Sequence, residues 1–130
     1  MSEFSKSLTV SASGLRAQAT RLRHVSENIS NADTPGYRRK LIPFDSVRPF
    51  GEDLQLVQAG KVRLDRKEPQ KVFDPQHPLA DSSGHYEGSN VSLLIEIADA
   101  REAQRSYEAN LKMFDQVRQM SSSLMDLLRK

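Results

Sequence analysis

All six prolines of this 130-residue chain, and five of its six glycines, fall between Pro35 and Gly88. Proline removes a helical hydrogen bond and glycine loosens the backbone, so no single helix can run through a middle punctuated this way. The flanks, 1–33 and 89–130, hold only Gly14 of these two residue types. The distribution predicts an N-terminal helix over 1–32 and a C-terminal helix over 91–130. Between them, 33–90 reads as a turn, a candidate hairpin and a Pro/Gly-rich loop.

The first arm carries a sharp repeat. Leu8, Leu15, Leu22 and Ile29 recur every seven residues, with Phe4 and Val25 at complementary positions. Ala12 and Ala19 flank the leucines and permit close approach of another helix, while Ser11 and Gln18 blunt the second seam position. A helix from Phe4 to Ser30 spans about 40 Å at 1.5 Å per residue. A stripe this narrow does not hold a helix alone, so it needs a partner, and the isolated chain is expected to form its terminal helices poorly.

The other end of the chain supplies a candidate partner. From Leu93, the residues Ile97, Ala100, Ala103, Tyr107, Leu111, Phe114, Val117, Met120, Leu124 and Leu127 step by three or four over about 55 Å. Asn90 is placed to cap its start, Glu108 and Lys112 to pair along its surface, and Arg129 and Lys130 to suit its negative end. This helix outruns the first and leaves Met120, Leu124 and Leu128 for other chains. The expected fold is mainly α: long N- and C-terminal helices paired as an antiparallel coiled coil, with a small central β-hairpin and irregular loop region. The helix seam expected to carry assembly comprises Leu8, Leu15, Leu22, Val25 and Ile29 with Ile97, Tyr107, Leu111, Phe114, Val117 and Leu124. Only 37% of residues are hydrophobic and 6% aromatic, which is little for a self-sufficient core and favours burial against further chains.

In the centre, Leu54–Gln58 and Lys61–Asp65 alternate around Ala59-Gly60 and read as a hairpin. Thr34-Pro35-Gly36-Tyr37 has the residue order of a type II turn. Residues 69–88 read as an extended loop. Asp74, His77, Asp81 and His85 are metal-ligand types, but their spacing fits no standard site, and solvated turn residues are the expectation. Arg38-Arg39-Lys40, with Arg16, Arg21 and Arg23, is basic, yet 19 basic residues face 17 acidic ones. No nucleic-acid motif accompanies them, so contact with a neighbouring chain's acidic residues, or solvation, is expected. The chain has no cysteine, His24 lies among basic neighbours, and Ser121-Ser122-Ser123 has no base in reach, so no catalytic constellation is present. The N-terminus lacks the basic start and apolar run of a secretory signal, and no stretch approaches the roughly 20 apolar residues of a membrane span. Taken alone, these facts point to the cytoplasm.

Two stretches carry a resemblance. Ser11–Gln18 (SASGLRAQ) followed by Asn28–Tyr37 (NISNADTPGY) is similar to the N-terminal signature of the axial proteins of the bacterial flagellum. Arg105–Asn110 (RSYEAN) resembles their C-terminal signature. The motif residues are Asn28, Asn31, Thr34, Pro35, Gly36, Tyr37, Arg105, Tyr107, Ala109 and Asn110. Phe73–Val91 resembles the loop of proximal rod subunits. A sister proximal rod protein of the FlgB type, which usually lacks this Asp-Pro loop, is the alternative within the family, and a helical adaptor outside the flagellum is the alternative beyond it. The resemblance implies a self-assembling structural subunit of the basal-body rod that transmits motor torque, with no enzymatic activity. It implies a periplasmic rod location, reached through the flagellar type III export apparatus without a cleaved signal peptide, which reverses the cytoplasmic default. Implied partners are further copies of itself, rod proteins of the FlgB, FlgF and FlgG types, and the rod-base adaptor FliE. No cofactor, nucleic acid or small-molecule ligand is implied.

Overall fold

The computed structural model describes residues 2–129; Lys130, assigned above to the end of the second helix, lies outside them. A 28-residue helix, α1, runs from Glu3 to Ser30, and a 36-residue helix, α2, from Leu93 to Leu128. Six short strands lie between: β1 (Lys40–Leu41), β2 (Phe44–Val47), β3 (Leu56–Ala59), β4 (Arg63–Leu64), β5 (Lys71–Phe73) and β6 (His85–Glu87). The Ser2 side chain caps α1 by accepting the Ser5 N–H at 3.1 Å. Asn31 closes the other end, its backbone and side-chain N–H groups both donating to Glu27 O. Among the described residues, no helix is long and apolar enough to cross a membrane.

The helices pack antiparallel: Asn28 meets Glu96, Arg21 reaches Asp99 and Glu102, and Gly14 faces Asn110. Their approach is close because the facing residues are small. A Cβ built on Gly14 would lie 3.1 Å from Asn110 Nδ2. On α1 the buried residues are Ser11, Ser13, Ala17, Val25 and Asn28; on α2 they are Glu96 and Ala103. The leucine repeat runs along the flank of this contact rather than its centre: Leu8, Leu15 and Leu22 are half-buried and Ile29 is exposed.

The centre departs from the sequence reading in its pairings. Leu54–Gln58 and Lys61–Asp65 do not form a hairpin with each other. Instead β3 pairs with β2 and β4 with β1, both antiparallel, giving one kinked two-stranded ribbon. A two-residue hairpin at Ala59-Gly60 needs positive φ, and neither residue has it. Gly60 N–H donates to Pro43 O instead, at 2.8 Å, within a bulge that gives the second arm one extra residue. The ribbon turns at Pro49–Glu52, where Glu52 N–H donates to Pro49 O and Gly51 has φ +78°. β3 lies across α1, and Val57 N–H donates to the buried Ser13 hydroxyl at 3.3 Å. Small side chains at Ser13 and Ala17 give it the room.

Residues 69–88 also form more than a loop. β5 and β6 pair as a second hairpin, because Val72, Phe73 and Tyr86 supply strand-forming side chains. Its long turn consumes the polar residues weighed above as ligands. Asp81 Oδ1 accepts the Ser83 and His85 N–H groups, His77 Nδ1 accepts the Leu79 N–H, and His77 stacks on Tyr86 at 3.9 Å. Ser92, not Asn90, stands at the N-cap position of α2, without a side-chain capping bond, and Glu108 meets Gln104 at 3.5 Å rather than Lys112.

Thr34–Tyr37 is the turn that the sequence predicts. Tyr37 N–H donates to Thr34 O at 3.1 Å and Gly36 has φ +76°. A Cβ at Gly36 would meet nothing within 4 Å, so any penalty there comes from the backbone alone. Gly36→Val is expected to strain this turn by about 1–3 kcal/mol, and Gly36→Asn by much less. Limited proteolysis within residues 33–40 checks this: Val should raise the cleavage rate roughly five- to 150-fold, because cleavage tracks the opened population. Equal rates for Val and Asn would refute the argument.

Candidate functional site

The largest of the fully buried side chains are polar. Asn28 and Glu96, at 1% and 0% exposure, are the largest fully buried residues among those described. Asn28 lies in the last turns of α1 and Glu96 in the first turn of α2, so antiparallel packing brings them together. The turn at Gly36 folds the chain back and delivers Tyr37, Arg39 and Lys40 to the same point.

Asn28 uses its whole amide. Its Oδ1 accepts the Lys40 N–H and the Tyr37 hydroxyl, each at 2.9 Å. Its Nδ2 donates to Lys40 O at 3.0 Å and to Glu96 Oε2 at 3.3 Å. Two donors and two acceptors meet the full capacity of an amide. Arg39 completes the junction: Nε donates to Glu96 Oε1, one terminal nitrogen reaches Asp99 at 2.6 Å, and the other lies 3.7 Å from Asp65. Arg21 approaches Asp99 at 3.6 Å and Glu102 at 3.5 Å from the α1 side.

The basic run Arg38-Arg39-Lys40 therefore finds much of its acid within its own chain, a correction to the expectation of neighbour or solvent contacts. Lys40 donates to Glu27 at 2.6 Å. That hydrogen bond holds the Glu27 carboxyl below its ordinary value and the Lys40 ammonium above its own. Burial raises the Tyr37 phenol. For Arg39, burial opposes the charge, but the Glu96, Asp99 and Asp65 carboxylates outweigh it and keep the guanidinium above its ordinary value.

Asn90 works as a staple. Its Oδ1 accepts the Arg39 N–H at 2.6 Å, and its Nδ2 donates to Asp65 O and Lys67 O at 3.0 and 2.9 Å. Ser89 hydroxyl donates to Ala32 O, and Gly36 N–H donates to Gly88 O at 3.1 Å. Both helices, the ribbon base and the second hairpin are thereby tied at one end of the molecule. Asn28 and Glu96 are buried, and the whole Asn28 amide is spent on bonds within the junction. His24 Nδ1 is buried nearby, 3.5 Å from Glu27, without a hydrogen-bond partner.

The sequence-predicted residues divide between this junction and the helix surfaces. Asn28 and Tyr37 are at its centre; Asn31, Thr34, Pro35 and Gly36 form the turn that closes it. Asn110 is half-buried against Gly14 about four helical turns along, whereas Arg105 and Ala109 are exposed and Tyr107 is half-buried. Val25 is buried and Phe114 and Val117 half-buried, but Ile97, Leu111 and Leu124 are exposed. Arg39, Glu96, Asp99, Asn90 and Ser89 were not anticipated as a unit. A carboxylate interrupting the α2 stripe at Glu96 was the available signal.

Comparison with known proteins locates relatives of both arms. The family model described as flagella basal body rod protein matches residues 8–38. The model described as flagellar basal body rod FlgEFG protein C-terminal matches residues 82–127. The flagellar basal-body rod protein FlgC of Agrobacterium fabrum is 43% identical over 136 residues, covering 99% of this chain and 98% of the relative. The protein of the same name from Salmonella typhimurium is 31% identical, covering 85% of this chain and 87% of the relative. That from Bacillus subtilis is 30% identical, covering 93% and 95%.

Removing the Glu96 carboxylate should leave Arg39 and Asn28 short of a buried partner. Glu96→Ala is expected to cost about 3–5 kcal/mol, the usual penalty for breaking a buried pair from one side. Glu96→Gln keeps the shape and an acceptor and should cost less than half as much. Urea midpoints followed by circular dichroism test both, and wild-type midpoints in the two variants would show the junction to be dispensable.

Proposed function

Because this chain belongs to the flagellar basal-body rod protein family, we propose that it is a structural subunit of the proximal rod, of the FlgC type, and has no enzymatic role. The observation that carries this reading is the apolar surface its own chain leaves open. Leu93, Ile97, Leu111, Met120, Leu124 and Leu127 are all exposed on α2, and Leu8, Leu15, Leu22 and Ile29 on α1 are covered only in part. Helices this long with so much uncovered apolar surface are stabilised by neighbours.

In this reading α1 and α2 pair as an antiparallel coiled coil and pack against those of adjacent subunits in a helical array. Residues 1–32 and 91–130 form the load-bearing layer, and 33–90 selects which neighbours fit. Heterologous contacts keep such an array open-ended and spread motor torque over many helices. The proposed partners are further copies, the FlgB, FlgF and FlgG types of rod protein, and FliE at the rod base. The proposed location is the periplasmic rod, reached by the flagellar export apparatus without a cleaved signal. A chain with no disulfide and a small core suits passage in an unfolded state.

Leu15→Asp and Leu22→Asp are expected to abolish swimming while leaving secretion intact. Burying an unpaired carboxylate in a helix contact costs several kcal/mol, whereas export precedes that burial. Swimming-halo diameters and immunoblots of culture medium report the two effects separately. Normal swimming by either variant would place the contact elsewhere.

A further inference from the structure

Phe50 has 104% relative exposure and is the most exposed large apolar side chain among the described residues. It stands at the ribbon tip, in the turn closed by Pro49 and Glu52, and the exposed carboxylates Glu52 and Asp53 follow it. Neither carboxylate has a cation within salt-bridge distance among the described residues; the nearby Lys6 pairs with Glu3. The tip is an aromatic knob with unpaired negative charge beside it.

A groove of complementary character lies elsewhere on the molecule. Between α1 and the ribbon is an open cleft of about 520 Å³ with walls that include Ala17, Ile42, Val47 and Val57. Arg16 and Arg23 line it, no Asp or Glu does, and neither arginine has a carboxylate partner among the described residues. Volume, apolar walls and cationic rim suit an aromatic side chain followed by acidic residues.

The knob does not fill the groove of its own chain, since Phe50 is fully exposed. The tip packs beside Lys6, whereas the groove is centred near Thr20, about 21 Å further along α1 at 1.5 Å per residue. We infer that the ribbon tip of one subunit seats Phe50 in the α1–ribbon groove of a second copy, with Glu52 and Asp53 meeting its Arg16 and Arg23. Knob and groove are different surfaces, so the contact is heterologous and repeats without closing. This deepens the rod reading and rests on it, naming one pair of surfaces through which like subunits join.

The chain has no cysteine, which makes cross-linking specific. Copies carrying Arg48→Cys and Thr20→Cys are co-expressed, basal bodies are purified, and a short bismaleimide is added. A dimer of this chain that requires both cysteines is expected. Phe50→Ser in the Arg48→Cys copy should reduce that dimer at least tenfold, and the folded subunit should tolerate it because Phe50 is fully exposed. Arg16→Glu with Arg23→Glu in the Thr20→Cys copy should do the same, and Glu52→Arg with Asp53→Arg in the other copy should restore the dimer. A dimer undiminished by Phe50→Ser overturns the contact. So does no dimer in basal bodies that contain the chain, or linkage of Thr20→Cys to a different protein alone, and in both cases the rod reading stands. Basal bodies that lack the chain overturn both.

Discussion

The buried carboxylate of Glu96, held between Arg39 and Asn28, organises everything else in this fold. Small residues such as Ser11, Gly14, Ala17 and Ala103 let the helices approach closely, but they interlock weakly and specify little about sliding. A buried charge with one set of partners is intolerant of sliding, since a shifted register leaves it desolvated and unpaired. The same set gathers the chain segments. Asn28 comes from α1, Glu96 and Asp99 from α2, Arg39 and Lys40 from the start of the ribbon, and Asn90 from the end of the second hairpin. The helix pair and the central segment are fastened at a single end.

Away from that end the molecule has little to hold it. The fully buried hydrophobic residues among those described are Ala17, Val25, Leu54, Val91 and Ala103, a small core for two helices of this length. The apolar side chains that would ordinarily fill a core are displayed instead along α2 and at the ribbon tip. Polar specificity is thus concentrated inside the subunit and apolar surface outside it. That division suits a part that gains most of its stability from its neighbours.

The arms were legible in the sequence because proline and glycine act locally, and their absence from both flanks leaves helix as the remaining option. The Gly36 turn was legible for the same reason. The junction was not, because its partners are far apart: Arg39 and Glu96 are separated by 57 residues, and Asn28 and Glu96 by 68. Local spacing carries no trace of such pairs. Ala59-Gly60 misled because it has turn composition, while the true turn at Pro49–Glu52 precedes β3. The leucine heptad is an apolar pattern along α1, but periodicity does not say whether the chain's own residues or another chain's will cover it. Asn90 had the identity of a helix cap and was drawn instead to the Arg39 backbone.

Native-state hydrogen exchange tests the central claim most directly, comparing free subunit with purified basal bodies at residue resolution. The account predicts graded protection in the free subunit, strongest at Val25–Ser30 and Glu96–Ala103 and falling toward Glu3–Val10 and the last turns of α2. Assembly should then protect the weak ends. Uniform protection along both helices of the free subunit, or a maximum at the end remote from Glu96, would contradict it.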